Sequence, residues 1–230
     1  MKPYYEDDLT VLYHGDCRDI GEWLSADVLL TDPPYGIDYR SGQRRDVKLG
    51  LARSIAGDAD TVVRDEMLAL WNRGGVRPAL VFGTWRRPRP EGTHTRLIWD
   101  TGGANGMGDL SVPWKPSDQE VYVIGKGFHG RRTNNVLAFP PVQSMARNGR
   151  LHPHEKPLGL LRELIRKCPS GVIADPCAGS GSTLVAARLE DRRAVGVELD
   201  EAYCELIAAR LVRGDAAVKQ NVSHEQQVLA

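Results

Sequence analysis

The chain has 230 residues, 41% hydrophobic and 26% charged, with 30 basic and 30 acidic side chains. Those proportions suit a globular chain with one substantial core and exclude a disordered, collagen-like or multi-span membrane polypeptide. Cys17, Cys168, Cys177 and Cys204 lack CxxC spacing, and the opening "MKPYYEDDLT" lacks an apolar core. The sequence therefore predicts a cytoplasmic protein with reduced thiols and no metal or disulfide framework.

Taken in chain order, "TVLYH" is predicted as a strand ending at Gly15-Asp16, and "DIGEWLSA" as a short helix. "DVLLTD" is a strand apolar on both faces, as a central parallel strand requires. Residues 36–59 are polar and rich in Gly and Arg, which predicts a long mobile loop of the lid kind. "DTVVRDEMLALWNR" has helical spacing, with Val63, Met67, Leu70 and Trp71 on one face. "PALVFGT" reads as a buried strand. Pro88 and Pro90 forbid a helix in "WRRPRPEGT". "TRLIWD" and "QEVYVIGK" follow as strands joined by the Gly-rich residues 102–118, and residues 126–151 are turn-rich. "KPLGLLRELIRKC" is an amphipathic helix with Pro157 in its first turn. The last third is a βαβα unit, "GVIADP", "GSTLVAARLEDR", "RAVGVEL" and "DEAYCELIAARLV", before a polar tail at 214–230. This alternation predicts an α/β fold, a doubly wound and mainly parallel sheet with helices on both faces, in one domain over 1–213.

The zero net charge hides an uneven distribution. Residues 1–38 carry Lys2 and Arg18 against nine acidic side chains, whereas residues 126–167 carry nine basic ones against Glu155 and Glu163. Arg162, Arg166 and Lys167 divide evenly between a solvated helix face and a functional patch. Arg131, Arg132, Arg147 and Arg150 lie in a stretch without helical period, where phosphate contact is the better reading.

Two short runs carry the chemistry. Asp32-Pro33-Pro34-Tyr35 follows the strand "DVLLT", and Asp175-Pro176-Cys177-Ala178-Gly179-Ser180-Gly181-Ser182 follows the strand "GVIA". Both thus sit at carboxyl ends of strands, where open α/β sheets place ligands. Gly179 and Gly181 allow a tight turn and close approach to a ligand, and Glu198 lies at the spacing of a ribose-binding acid. By itself this GxG turn fits a nicotinamide enzyme as well as other nucleotide binders, and Asp-Pro-Pro also fits a plain turn.

Together the runs resemble the β group of S-adenosylmethionine-dependent DNA amino-methyltransferases. "DPPY" resembles the family's catalytic motif, "DPCAGSGST" its cofactor loop "DPFxGSGTT", and "HPHEKPLGLLRELI" its "HPTEKPLELLERLI" segment. The resemblance covers roughly residues 9–36 and 150–212. It implies a seven-stranded Rossmann-like sheet, circularly permuted so that the catalytic half comes first. It further implies S-adenosylmethionine as cofactor and double-stranded DNA as partner for a monomer or homodimer.

Carried over residue by residue, the cofactor set is Asp16 at the adenine edge, His152 and Lys156 near the carboxylate end, and Glu198 with Leu199 at the ribose. Asp175, Cys177, Gly179, Ser180, Gly181 and Ser182 surround the methionine portion. His152 and His154 could pair on a metal, but no third ligand lies in sequence reach. The catalytic set is Asp32, Pro33, Pro34 and Tyr35. Asp32 and the Pro33 carbonyl would accept the hydrogens of an exocyclic amine, and Tyr35 would stack on a flipped base. Target recognition falls to the short segment 126–150. Arg44, Arg45, Arg86, Arg87, Arg131, Arg132, Asn134, Arg147 and Arg150 are the nucleic-acid candidates, since Arg matches guanine and Asn adenine.

Relatives acting on cytosine N4 more often carry Ser in place of Asp32, so adenine N6 is favoured. RNA and protein-glutamine methylating relatives tend to carry Asn there. A catalytically silent binding module on the same fold is the reading of another class, and the intact Asp32 argues against it.

Overall fold

The apolar runs read as strands form the middle of one nine-stranded sheet in the computed structural model of the protein. It describes residues 1–37, 56–103, 108, 110–142 and 155–213. The strands are β1 (Tyr5–Glu6), β2 (Thr10–His14), β3 (Val28–Thr31), β4 (Ala79–Gly83), β5 (Thr93–Asp100), β6 (Asp118–Ile124), β7 (Val136–Ala138), β8 (Ile173–Asp175) and β9 (Ala194–Glu198). The helices are α1 (Val62–Trp71), α2 (Leu158–Ile165), α3 (Ser182–Leu189) and α4 (Glu201–Val212), with a 3-10 turn at Glu22–Ser25. The strand order is β1-β2-β9-β8-β3-β4-β6-β5-β7. Seven strands were expected. They are the run from β2 to β5, and the short β1 and β7 extend its two edges.

Strand direction decides where everything else lies. β2, β9, β8, β3 and β4 are mutually parallel. β6 runs against both β4 and β5, and β7 runs with β5. Only β1 and β6 therefore point the other way. Central strands are buried along their whole length, every residue of β3, β4 and β8 included, because helices cover both faces. Alternate residues of β3 feed different clusters: Val28 and Leu30 pack with the leucines of α2 and with α3, and Leu29 packs with Trp23, Met67 and Trp71.

Two local expectations change. The buried face of α1 is Arg64, Met67, Leu68 and Trp71, rotated from the predicted one, because the Arg64 guanidinium is drawn inward to the Pro88 carbonyl at 3.0 Å. The turn-rich stretch contains β7, whose Leu137 is buried beside Trp99. Of the predicted loop 36–59, residues 38–55 lie outside the described residues, as does the tail. At the loop's near ends, buried Asp58 accepts the Gly36 N–H at 2.7 Å.

Candidate active site

β3 and β8 are parallel neighbours, with Leu29 opposite Ala174, so the runs that follow them emerge side by side. Thr31, the last residue of β3, donates its hydroxyl to Asp175 Oδ1 at 2.7 Å across 144 residues of sequence. The next strand outward, β9, ends at Glu198, and the next, β2, leads through Gly15 to Asp16. Along one edge of the sheet the order is thus Asp16, Glu198, the glycine loop and Asp32. The catalytic and cofactor runs are brought together by topology alone.

The catalytic run is knit by side chains. The Tyr35 hydroxyl donates to Asp32 Oδ1, and the Lys156 ammonium donates to Asp32 Oδ2 and, at 3.2 Å, shares the Tyr35 oxygen. Gln119 Oε1 lies 3.4 Å from that hydroxyl. Burial, then the neighbouring Asp32 charge, push the Tyr35 hydroxyl well above its ordinary pKa, so it stays a neutral donor. Pro33 and Pro34 are buried, and only Asp32 keeps part of its side chain in solvent. Gly36 closes the run at φ 78°, where any Cβ would strike the Asp60 backbone at 2.7 Å. Arg87, expected on nucleic acid, donates to the Gly36 carbonyl and so braces this turn.

The cofactor run is knit by backbone. Gly179 and Gly181 both take left-handed φ, 54° and 76°. The Gly179 amide donates to Glu198 Oε2 at 2.7 Å, and Asp200 donates to Oε1 at 2.9 Å. Burial raises Glu198 to about 7 against these two amides. Asp175 is buried and accepts from Thr31 and, at 3.2 Å, from the Cys177 amide; burial raises it to about 6. Ser180 and Ser182 hydroxyls pair at 3.1 Å, and the Ser180 carbonyl accepts from Arg210 at 2.6 Å. Cys177 shares its thiol hydrogen bond with Cys17, which, with burial, pushes it well up. Asp16 is gripped by Arg18 through two donors, at 2.9 and 2.6 Å, which lowers it. Leu199 is half-exposed, its carbonyl 3.2 Å from the His14 ring.

These groups fit the cofactor implied by the resemblance. Glu198 supplies an acceptor for hydroxyls, and the first turn of α3 directs backbone amides toward a carboxylate. Among the described residues no group of three or more His, Cys, Asp or Glu could hold a metal, and no helix is long and apolar enough to cross a membrane.

The basic segment begins on the far side of the sheet from Asp32. β6 carries the chain to the amino ends of the parallel strands, and the chain then climbs back along β5 to β7, which pairs with Ile98–Asp100 at the carboxyl end of β5. Asn134, exposed, lies beside the middle of β5, next to Asn135, whose side chain meets the Arg96 carbonyl, and Arg131 and Arg132 are exposed toward the amino edge. The Arg131 carbonyl is held there by Lys167 at 2.7 Å. Arg86 remains exposed on the Asp32 edge, its guanidinium 5.6 Å from the Trp85 ring centre. Arg44, Arg45, Arg147, Arg150 and His152 lie outside the described residues.

Sequence reasoning missed Thr31, Asp58, Arg210 and Glu155. Glu155 pairs with Arg210 at 3.1 Å, so the residue before Lys156 reaches the cofactor loop while Lys156 reaches Asp32. Both residues stand in the "HEKP" run, but no spacing rule says that they point in different directions.

Comparison with known proteins agrees with this layout. The family model described as DNA methylase (N6/N4 type) matches residues 83–209. A protein named as a methylase, YubD of Escherichia coli (strain K12), is 30% identical over 230 residues, covering 92% of this chain and 94% of its own. The solved PvuII DNA methyltransferase, described as cytosine-N4-specific, is 15% identical with a TM-score of 0.65, covering 99% of this chain and 95% of its own. The M1.HpyAVI–SAM complex is 18% identical with a TM-score of 0.56, covering 88% of this chain and 100% of its own.

Proposed function

We propose, for a chain that belongs to the DNA methylase family, that it methylates the exocyclic N6 of adenine in double-stranded DNA with S-adenosylmethionine as methyl donor. The observation that carries this reading is the pairing of the two runs. Asp32 leaves β3 beside the glycine loop that leaves β8, with Glu198 and Asp16 continuing the line.

An exocyclic amine is a weak nucleophile because its lone pair is delocalised into the ring. Asp32 accepts one of its hydrogens and the Pro33 carbonyl accepts the other, which aims the lone pair. When bound, the cofactor would supply the methyl, its bond to sulfur breaking with the pair left on sulfur as the bond to nitrogen forms, and the amine's proton would pass to solvent afterwards. Positive charge then grows on nitrogen, and the Asp32 carboxylate favours that state over the ground state. Fixing both reactants on one rigid sheet edge supplies much of the remaining acceleration. No general base is required, because the proton leaves after the methyl arrives.

DNA approaches the carboxyl edge. Trp85 and Trp114 are 69% and 79% exposed there, with Arg86 and Lys115 beside them, a pairing of flat rings and cations suited to bases and phosphates. The second reading is cytosine N4, favoured by the PvuII likeness. Incubating unmethylated DNA with the chain and labelled cofactor, then separating nucleosides by mass, distinguishes the two. N6-methyladenine is expected, and N4-methylcytosine alone overturns the adenine assignment.

A further inference from the structure

The resemblance assigns Lys156 to the cofactor, yet its ammonium is bound to the Asp32–Tyr35 run. Its side chain is 5% exposed, against 21% for Asp32. Its ammonium meets Asp32 Oδ2 and the Tyr35 oxygen, and it lies 4.9 Å from the ring centre of Phe82, 5.6 Å from Tyr35 and 6.0 Å from Trp99. Phe82 and Trp99 are themselves fully buried, and the Trp99 indole is tied to the Phe139 carbonyl at 2.7 Å. Rings with fixed positions hold a cation by their negative faces, so the ammonium is fixed before any ligand enters.

We propose that Lys156 is the positioning residue of the catalytic carboxylate, holding Asp32 and Tyr35 as one unit through its ammonium in the Phe82, Tyr35 and Trp99 cage. Asp32 sits at a turn with solvent on one side, where its carboxylate has freedom to rotate. Donors on both oxygens remove that freedom and leave lone pairs for the incoming amine, since a carboxylate accepts about four hydrogen bonds. A positive charge beside Asp32 opposes the positive charge that grows on the amine. The contribution of Lys156 is therefore geometric, and it outweighs that electrostatic opposition. Glu155 anchors the same segment to the cofactor loop through Arg210, which keeps the lysine in register with both runs.

The inference rests on the methyl-transfer reading, and its test separates the two. In cofactor-free protein, lysine labelling by reductive methylation, read by mass spectrometry, should be slow at Lys156 and rise severalfold in Asp32→Ala. In Lys156→Met, kcat at saturating cofactor should fall about 100-fold, with S-adenosylmethionine affinity by calorimetry within twofold of the unaltered chain. Lys156→Arg should recover at least a tenth of kcat, because it restores the donors. If Lys156→Met does not fold, Lys156→Gln takes its place in the same two measurements. A tenfold loss of cofactor affinity with kcat preserved would return Lys156 to the cofactor, and a faster Lys156→Met would show the lysine to be an electrostatic burden; either overturns the proposal. An unaltered chain that methylates no DNA sinks the function reading, and the labelling experiment still judges the contact.

Discussion

The two runs at the sheet edge are built by opposite means. Asp32 to Tyr35 is held by side chains, with a carboxylate, a phenol and an ammonium in mutual contact. The glycine loop is held through its main chain, with two left-handed glycines, the Gly179 amide on Glu198, the Ala178 amide on the Val197 carbonyl and the Ser180 carbonyl on Arg210. Side-chain fastening concentrates the chemistry in a few atoms, so one substitution removes it. Main-chain fastening spreads the binding over a surface, so single substitutions weaken it by degrees. The catalytic run should accordingly fail in rate and the cofactor loop in affinity.

The largest effect should come from Asp32→Ala, which should cut kcat at least about 100-fold while cofactor affinity by calorimetry stays within about twofold. A rate within tenfold of the unaltered chain would break the comparison at its first term.

Glu198→Ala should do the reverse, weakening S-adenosylmethionine by roughly 1–3 kcal/mol with little change of kcat at saturation. The acidity of this site sharpens the point. Glu198 lies near 7 and Asp175 near 6 in the folded protein, above their ordinary 4.5 and 3.8, because burial disfavours the charge. The folded state therefore holds more protons than the unfolded one across about pH 4–7, and stability without ligand should fall as pH rises through that window. Cofactor affinity should move oppositely, rising through pH 7 and levelling above it, because the hydroxyl acceptor is the carboxylate. Glu198→Gln should flatten both curves, measured by thermal melts and calorimetry over pH 5–8. Parallel curves in the two proteins would exclude Glu198 as their source.

Tyr35→Phe comes next. A flat ring alone would predict near-full activity, but the hydroxyl donates to Asp32, so kcat should drop about tenfold. Full activity would mean that Lys156 alone suffices to hold the carboxylate.

The smallest effect tests the two edges of the sheet. Arg86→Ala should flatten the plot of log DNA affinity against log salt by about one unit if it meets a phosphate. Replacing Arg131 and Arg132 together should leave that slope unchanged. The opposite result would put DNA on the far edge.

That last pair shows what the sequence could and could not convey. Periodicity reveals which side of an element is apolar, so the strands from β2 to β9 other than β7 were legible, as were the helices and the two runs at strand ends. It does not reveal which way a neighbouring strand points. Nothing local in "QEVYVIGK" says that β6 opposes β4, and that single reversal carries Arg131 and Arg132 away from Asp32. Arg64 and Asp58 escaped for a related reason. Their burial is compensated by the Pro88 carbonyl and the Gly36 amide, partners 24 and 22 residues distant. Charged side chains read as surface unless such a partner is known.

The closure at Gly36 has its own consequence. Asp58 holds the Gly36 amide, Arg87 holds its carbonyl, and the Asp60 backbone lies against its Cα. The Asp32–Gly36 turn and the residues that lead into α1 are thus pinned together at one point. Lengthening a closed excursion adds only a logarithmic entropy term, about 0.6 kcal/mol for each doubling. Because the pin lies wholly in Gly36, Asp58, Asp60 and Arg87, the Asp32 turn owes its closure to these four residues, and changing the length of chain between Gly36 and Asp58 should leave that closure in place.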